Sequence, residues 1–153
     1  MNGMSRVSAS EDRSPERCVV VGYDGSDSAG RAVARSVRAA GPRGQVILVT
    51  VEPKMHADGI SSEPLVEPGD HPSHLLADAR AVAARTCASG ATDVRTVARE
   101  GNPADEILEA ARSADADLIV VGRTGKSFLA RAILGSVAVR VVELARCDVL
   151  VVA

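Results

Sequence analysis

The sequence predicts an α/β fold: an open, five-stranded, mainly parallel sheet with helices on both faces. Three observations support this prediction. Short, apolar, β-branched runs recur along the 153 residues, and each of the first four is followed by a segment with the spacing of an amphipathic helix. The apolar runs show little alternation, which is typical of strands buried on both faces. Because strands and helices alternate, right-handed crossovers should make the sheet mainly parallel.

Five segments are predicted strands and four are predicted helices. The third strand alternates apolar and polar residues, so it should lie at a sheet edge or be only half covered. The last strand has no following helix and can also lie at an edge. The strands are 17–23, 45–51, 93–99, 118–121 and 148–153, and the helices are 28–40, 74–88, 104–113 and 136–145.

Turn and capping residues mark the ends of these elements. Gly25 permits the turn after the first strand, and either Ser26 or Asp27 can cap the helix that follows. Asn102 is placed to cap the third helix, and Pro103 suits its first position, where an N–H group would have no partner. The buried face of the first helix should contain Ala29, Ala32, Val33, Val37 and Ala40.

The chain has the length of one domain, here 17–153, and two segments should lie outside its packed core. Residues 1–16 are polar and aperiodic, which predicts a disordered tail. Residues 52–73 are rich in proline and aperiodic, which predicts a flexible loop. The sequence contains neither a signal-peptide pattern nor the roughly 20 apolar residues of a membrane span, so we expect a cytoplasmic protein without a membrane partner.

Composition argues against several function classes. Lysine plus arginine is 18, aspartate plus glutamate is 20, and the net charge of −2 provides no basic field for nucleic acid. Aromatic residues make up 1% of the chain, too few for the stacking platforms of single-strand binders. The three cysteines have no C-x-x-C spacing, so we expect neither structural zinc nor a disulfide framework. The three histidines lie in or beside the proline-rich loop and are assigned neither a metal nor catalysis.

The candidate site is 117–142, where a buried strand runs into a glycine-rich loop. Because glycine lacks a Cβ, Gly122, Gly125 and Gly135 would let the backbone take positive φ, approach a ligand closely and turn N–H groups toward an anion. Ser136 would add a hydroxyl at a helix start, where the dipole favours phosphate. The pattern indicates half of a nucleotide site. It also predicts that Gly122→Val or Gly135→Val abolishes nucleotide binding and leaves the fold largely intact.

The other half of the site depends on the strand order. Ligands of open parallel sheets bind beyond the carboxyl ends of the strands, where the strand order reverses. If the first and fourth strands are neighbours across that reversal, Asp24 and the loop after Gly122 face each other.

These residues resemble the universal stress proteins of the nucleotide-binding type. The most specific part is G-x-x-G, nine residues and then G-[S/T], here Gly122, Gly125, Gly135 and Ser136. The segments VVVGYDGSDSA and DLIVVGRTG resemble the family's first and fourth strands, and the resemblance covers 17–153. It implies a flavodoxin-like or adenine-nucleotide-hydrolase-like fold that binds ATP, with Mg²⁺ accompanying the nucleotide, and acts as a stress-response regulator or sensor.

The resemblance also implies roles for individual residues. Asp24 and the backbone of Gly22 would contact the nucleoside, and main-chain groups near Val51 would read adenine. Gly122 and Arg123 would flank the ribose. The phosphates would be held by the Ser136 hydroxyl and by backbone N–H groups at Gly125, Gly135, Ser136 and Val137.

Other interpretations of these residues stay open. Asp24 is also favoured in turns for its local hydrogen bonds, Ser136 could be only an N-cap, and Arg123 could be a solvated charge. Ala138 replaces a hydroxyl that nucleotide-binding members often carry, which favours a second function, a dimeric interaction module with an empty site. A third is a nucleotide-phosphate hydrolase. No residue is placed as a general base, so any ATP hydrolysis should be slow.

The last strand predicts how the chain assembles. Residues 149–152 are apolar, and at an open edge they would expose one row of unpaired backbone groups. Two copies could pair antiparallel about a two-fold axis, and the resemblance implies a homodimer of this kind. No downstream protein partner follows from the sequence.

Overall fold

The protein is described by a computed structural model over residues 17–52, 72–87, 92–124 and 134–153. The predicted tail, 1–16, and residues 53–71 of the predicted loop lie outside these described residues. No helix within the described ranges is long and apolar enough to cross a membrane.

Strands and helices alternate along the described chain, and each begins and ends within two residues of its predicted bounds. The chain enters its second helix at Pro72, two residues before the predicted start, because the fixed φ of proline suits a first helical position. The strands are β1 (Cys18–Gly22), β2 (Gln45–Glu52), β3 (Asp93–Glu100), β4 (Leu118–Gly122) and β5 (Asp148–Val152), and the helices are α1 (Asp27–Ala40), α2 (Pro72–Thr86), α3 (Pro103–Ser113) and α4 (Ser136–Leu144).

The sheet has the strand order β3-β2-β1-β4-β5, and all four neighbouring pairs are parallel. The predicted fold class is therefore confirmed. β3 and β5 form the two edges, as their sequences predict. The strand order reverses between β1 and β4, where Val19 lies opposite Leu118 and Val21 lies opposite Val120.

The core has two layers, one on each face of the sheet. Val19 and Val21 of β1 point toward α1 and α2, and the intervening Val20 points toward α3 and α4. This division follows from the two-residue period of a strand. The five residues predicted for the buried face of α1 are all buried: Ala29, Ala32, Val33, Val37 and Ala40.

The predicted caps are present at two helix starts. Ser26 is the N-cap of α1, and its hydroxyl accepts a hydrogen bond from the N–H of Ala29 at 3.2 Å. Asn102 caps α3 by accepting from Ala104 N at 3.1 Å and from Asp105 N at 3.3 Å. Gly25 adopts φ 80° in the turn before α1, a value that an L side chain rarely allows.

Thr50 of β2 is a buried polar side chain without a hydrogen-bond partner in the described part of the chain: the residue is 2% exposed, and its Oγ1 has no acceptor or donor. An unsatisfied buried hydroxyl costs about 1–3 kcal/mol. We therefore expect Thr50→Val, which keeps the shape and removes the hydroxyl, to raise the free energy of unfolding in urea by about 1 kcal/mol. Thr50→Ser is the control, because it keeps the hydroxyl and loses a methyl group. A Thr50→Val variant that is less stable than the parent would contradict the prediction.

Candidate functional site

The carboxyl ends of β1 and β4 form the centre of the candidate site. The two strands are neighbours, so the turn after Gly22 and the loop after Gly122 leave the sheet side by side. Ser28, at the beginning of α1, connects the two segments, because its Oγ donates a hydrogen bond to the backbone oxygen of Thr124 at 2.6 Å. The condition for Asp24 and the loop after Gly122 to face each other, that β1 and β4 are neighbours across the reversal, is therefore confirmed.

Gly22 and Gly122 provide space for helices rather than an unusual backbone, since neither has a positive φ. A Cβ on Gly22 would lie 2.6 Å from Cδ1 of Ile107 in α3. A Cβ on Gly122 would lie 2.5 Å from Oγ of Ser28 and 3.0 Å from the backbone N of Ala29. This packing argues against the expectation that Gly122→Val keeps its fold, because the first turn of α1 occupies the space that a side chain needs.

Asp24 has the local role of a turn residue. Its Oδ1 accepts a hydrogen bond from the backbone N–H of Ser26 at 3.0 Å, which fixes the turn before α1. The residue is exposed, so its carboxylate can also accept a hydrogen bond from a ligand. The turn role and the predicted binding role are compatible.

Arg123 anchors the glycine-rich loop at both ends. Its backbone N–H donates to the oxygen of Val152 at 2.7 Å, and its backbone oxygen accepts from the N–H of Gly135 at 2.8 Å. The loop that leaves the sheet at Arg123 therefore returns to the same residue before α4 begins. Gly125 lies inside this loop, outside the described residues.

The start of α4 carries no side-chain cap. Gly135 is the N-cap, with φ −64° and ψ 152°, and Ser136 is the first helical residue. The alternative interpretation of Ser136 as an N-cap is thus wrong, and Gly135 does not use the positive φ that glycine permits, since any residue can adopt its φ. The first intrahelical bond of the described backbone runs from Val139 N to Gly135 O at 3.0 Å. The N–H groups of Ser136, Val137 and Ala138 precede that bond and have no partner within the helix.

Val51 and Ala138 border this region from two sides. Val51 is the penultimate residue of β2, and Gly22 is paired with Val49 two residues earlier. The Val51 main chain is therefore one strand away from Asp24, near the same end of the sheet. Ala138 of α4 faces the sheet and is packed into the core. A hydroxyl at this position would therefore be buried.

Ser28 is a site residue that the sequence analysis missed. It is buried, and its hydrogen bond to Thr124 joins α1 to the glycine-rich loop. A sequence signal was present, because Ser28 lies four residues before Ala32 and so falls on the apolar stripe of α1. A serine on such a stripe needs a buried acceptor.

Two cysteines lie near the opposite end of the sheet. Cys18 begins β1 and Cys147 directly precedes β5. Burial, followed by the negative charge of Asp117, raises the pKa of the Cys18 thiol. Burial, followed by Asp148, raises the pKa of the Cys147 thiol. Both thiols are therefore protonated at neutral pH and are weak nucleophiles. The described residues also contain no cluster of three or more His, Cys, Asp or Glu that could hold a metal ion.

The fold agrees with what comparisons with known proteins show. The model of the universal stress protein family matches residues 17–153. The chain belongs to the universal stress protein family. Universal stress protein Rv1636 of Mycobacterium tuberculosis is 36% identical over 142 residues, which cover 89% of this chain and 95% of that protein.

Two solved structures share the fold of this chain. A crystal structure of a universal stress protein in complex with cAMP is 35% identical, with a TM-score of 0.68, and the match covers 91% of this chain and 98% of that one. The structure of the hypothetical protein MJ0577 has a TM-score of 0.71 over 90% of this chain and 95% of that one. At 22% identity, the latter likeness supports the fold alone.

Proposed function

We propose that this universal stress protein binds an adenine nucleotide, ATP in particular, at the reversal of strand order between β1 and β4. The observation that carries the proposal is the uncapped start of α4, which the bond between Gly135 and Arg123 holds at the end of β4. N–H groups that have no partner within the helix and the positive end of the helix dipole favour phosphate there. A protein that is 35% identical was crystallised with cAMP, which supports the same ligand class.

The remaining predicted residues fit this ligand. Asp24 would accept hydrogen bonds from the nucleoside, the Val51 main chain would read adenine, and Gly22 and Gly122 would leave room beside the strand ends. The phosphates would lie at the N–H groups of Gly125 in the loop and of Ser136 and Val137 in α4. The predicted contact at Gly135 is corrected, because its only N–H already donates to the Arg123 oxygen at 2.8 Å.

Mg²⁺ would accompany the nucleotide rather than reside in the protein. This ion keeps several waters and is commonly bound through substrate phosphates and one or two carboxylates. When bound, the ion would neutralise phosphate charge.

We further propose that the protein is a cytoplasmic stress-response regulator or sensor rather than an efficient enzyme. The described side chains around the site include Asp24, Ser28, Arg123 and Ser136. Among the described residues, neither serine hydroxyl is hydrogen-bonded to a carboxylate or an imidazole that could act as a general base. Binding phosphates without activating a water yields little rate. Hydrolysis of ATP should therefore be slow.

The proposed assembly is a homodimer through β5. The apolar side chains of Val139 and Val142 on α4 and of Leu150 on β5 are 37%, 50% and 38% exposed, and β5 is a sheet edge. An exposed apolar edge strand tends to pair with another strand. Antiparallel pairing of two β5 strands would bury this surface about a two-fold axis.

The phosphate site at α4 is tested with Ser136→Asp. Aspartate in the first turn of a helix favours the dipole, so the fold should be kept, but its charge would lie beside the phosphate. We expect calorimetry to show AMP affinity reduced by at least about fivefold, because two like charges about 4 Å apart repel by roughly 1–4 kcal/mol near a protein surface. Adenosine affinity should change little.

Two controls accompany this experiment. Ser136→Ala removes the hydroxyl without adding charge and should have the smaller effect. Ala81→Asp places the same charge on the exposed side of α2, across the sheet, and should leave AMP affinity unchanged. If Ser136→Asp binds AMP as the parent does, phosphate does not lie at α4.

A further inference from the structure

Among the arginines of the described residues, Arg123 is distinguished by a buried guanidinium nitrogen without a hydrogen-bond partner. Its Nε is buried and has no hydrogen-bond acceptor in the described part of the chain, and none of the ion pairs found there includes it. Four other arginines lie within 4 Å of a carboxylate, in the pairs Arg95–Asp93, Arg99–Glu106, Arg112–Glu109 and Arg140–Asp105.

A guanidinium group is always charged and carries five N–H donors. Burying one of these donors without an acceptor costs free energy that folding must offset elsewhere. Such a group is explained if its acceptor arrives with a ligand.

The position of Arg123 identifies the kind of acceptor. Ile119 and Val121 of β4 belong to the core on the α3 and α4 face. Arg123 directly follows β4 and still bonds to β5 through its backbone N–H. We therefore infer, by extending the strand alternation by one residue, that its side chain lies on this same face. The uncapped start of α4 lies on that face too, joined to the Arg123 backbone oxygen through Gly135.

Both features favour a negative charge. The N–H groups at the start of α4 attract an anion, and the planar fork of arginine matches the oxygens of a phosphate in a bidentate way. The family resemblance implies that Arg123 flanks the ribose. A ribose is uncharged, so that role would not require a guanidinium group.

We propose that the Arg123 guanidinium binds a phosphoryl group of the nucleotide and makes the site select phosphorylated adenosine over adenosine. This inference rests on the proposed function of the site. It names Arg123 as the residue that determines the selectivity. It also narrows the ligand class to adenosine carrying at least one phosphate, linear or cyclic.

The experiment measures the affinity of AMP and of adenosine by calorimetry for the parent protein, Arg123→Gln and Arg123→Lys. We expect Arg123→Gln to weaken AMP about 10- to 100-fold, since charge-assisted hydrogen bonds are the strong ones, and to change adenosine affinity less than about twofold. Arg123→Lys keeps the charge but not the fork, so its loss should be intermediate. Added salt should weaken AMP binding more in the parent than in Arg123→Gln, because ions screen the charge.

Arg146→Gln is the matched control, because Arg146 is exposed and precedes β5 at the other end of the sheet; its AMP affinity should equal that of the parent. Equal losses for AMP and adenosine in Arg123→Gln, or no loss for either, would overturn the inference while nucleotide binding stands. A parent protein that binds neither ligand would overturn the proposed function itself. Thermal melting followed by circular dichroism shows whether each variant is folded. If Arg123→Gln is unfolded, Arg123→Lys provides the test: an AMP affinity equal to that of the parent would reject bidentate phosphate binding by the Arg123 guanidinium.

Discussion

Gly122→Val is expected to lower the free energy of unfolding by about 3 kcal/mol or more, toward the upper range for overpacked sites. The new Cβ would lie 2.5 Å from Oγ of Ser28 and 3.0 Å from the backbone N of Ala29. The serine is held by its hydrogen bond to Thr124, and the backbone of α1 cannot move without disturbing the sheet contact. Urea unfolding followed by circular dichroism measures the loss.

Gly30 provides the matched control for this substitution. It lies inside α1, and a Cβ built on it meets no atom within 4 Å. Gly30→Ala should therefore raise stability by roughly 0.5–1 kcal/mol, the usual difference between these residues in a helix. If Gly122→Val unfolds at the urea concentration of the parent, α1 can yield and the packing argument is wrong. If it unfolds at a lower urea concentration than the parent, a loss of nucleotide binding in this variant could not be attributed to lost ligand contact alone, because the packing of the site is changed as well.

Leu150→Lys is expected to convert the proposed dimer into a folded monomer. Leu150 is 38% exposed on the edge strand, so a lysine can reach solvent in the single chain. In a β5–β5 interface the same ammonium group would be buried without a partner, which costs about 3–5 kcal/mol, or at least about a 100-fold weaker dimer. Light scattering at tens of micromolar, about the range where a micromolar interface is visible, measures the mass.

The opposite edge strand supplies the control for assembly. Ala98 is exposed on β3, and Ala98→Lys should leave the dimer intact if β5 forms the interface. A monomeric parent protein, or a dimeric Leu150→Lys variant, would reject the proposed interface. A dimer lost only in Ala98→Lys would move the interface to β3.

Much of the fold could be predicted because burial is visible in local patterns. The unbroken apolar run of β4 identifies a strand covered on both faces, and Ile119, Val120 and Val121 are indeed all buried. The alternating residues of β3 correctly indicate an edge. The strand order could not be predicted in this way, because no local sequence pattern indicates that β1 lies between β2 and β4. That order depends on how the helices pack across the sheet.

The site was less predictable, since one residue type serves several physical purposes. A glycine that makes room for a ligand and one that makes room for a helix, as Gly122 does for α1, look alike in sequence. Whether Ser136 is an N-cap or the first helical residue depends on the backbone angles of Gly135. The unpartnered Nε of Arg123 depends on tertiary neighbours and leaves no trace in the sequence pattern.

The central position of β1 has a consequence for synthesis on the ribosome. Its start is joined to the segment just before β4 by a hydrogen bond from Cys18 N to Asp117 Oδ2, between residues 99 positions apart. At about 5–20 residues per second, the second neighbour of β1 emerges roughly 5–20 seconds after β1 itself. During that interval the nascent chain carries three apolar valines on a strand with one open edge. Pairing with a second nascent chain then competes with folding, and this competition ends only when β4 arrives.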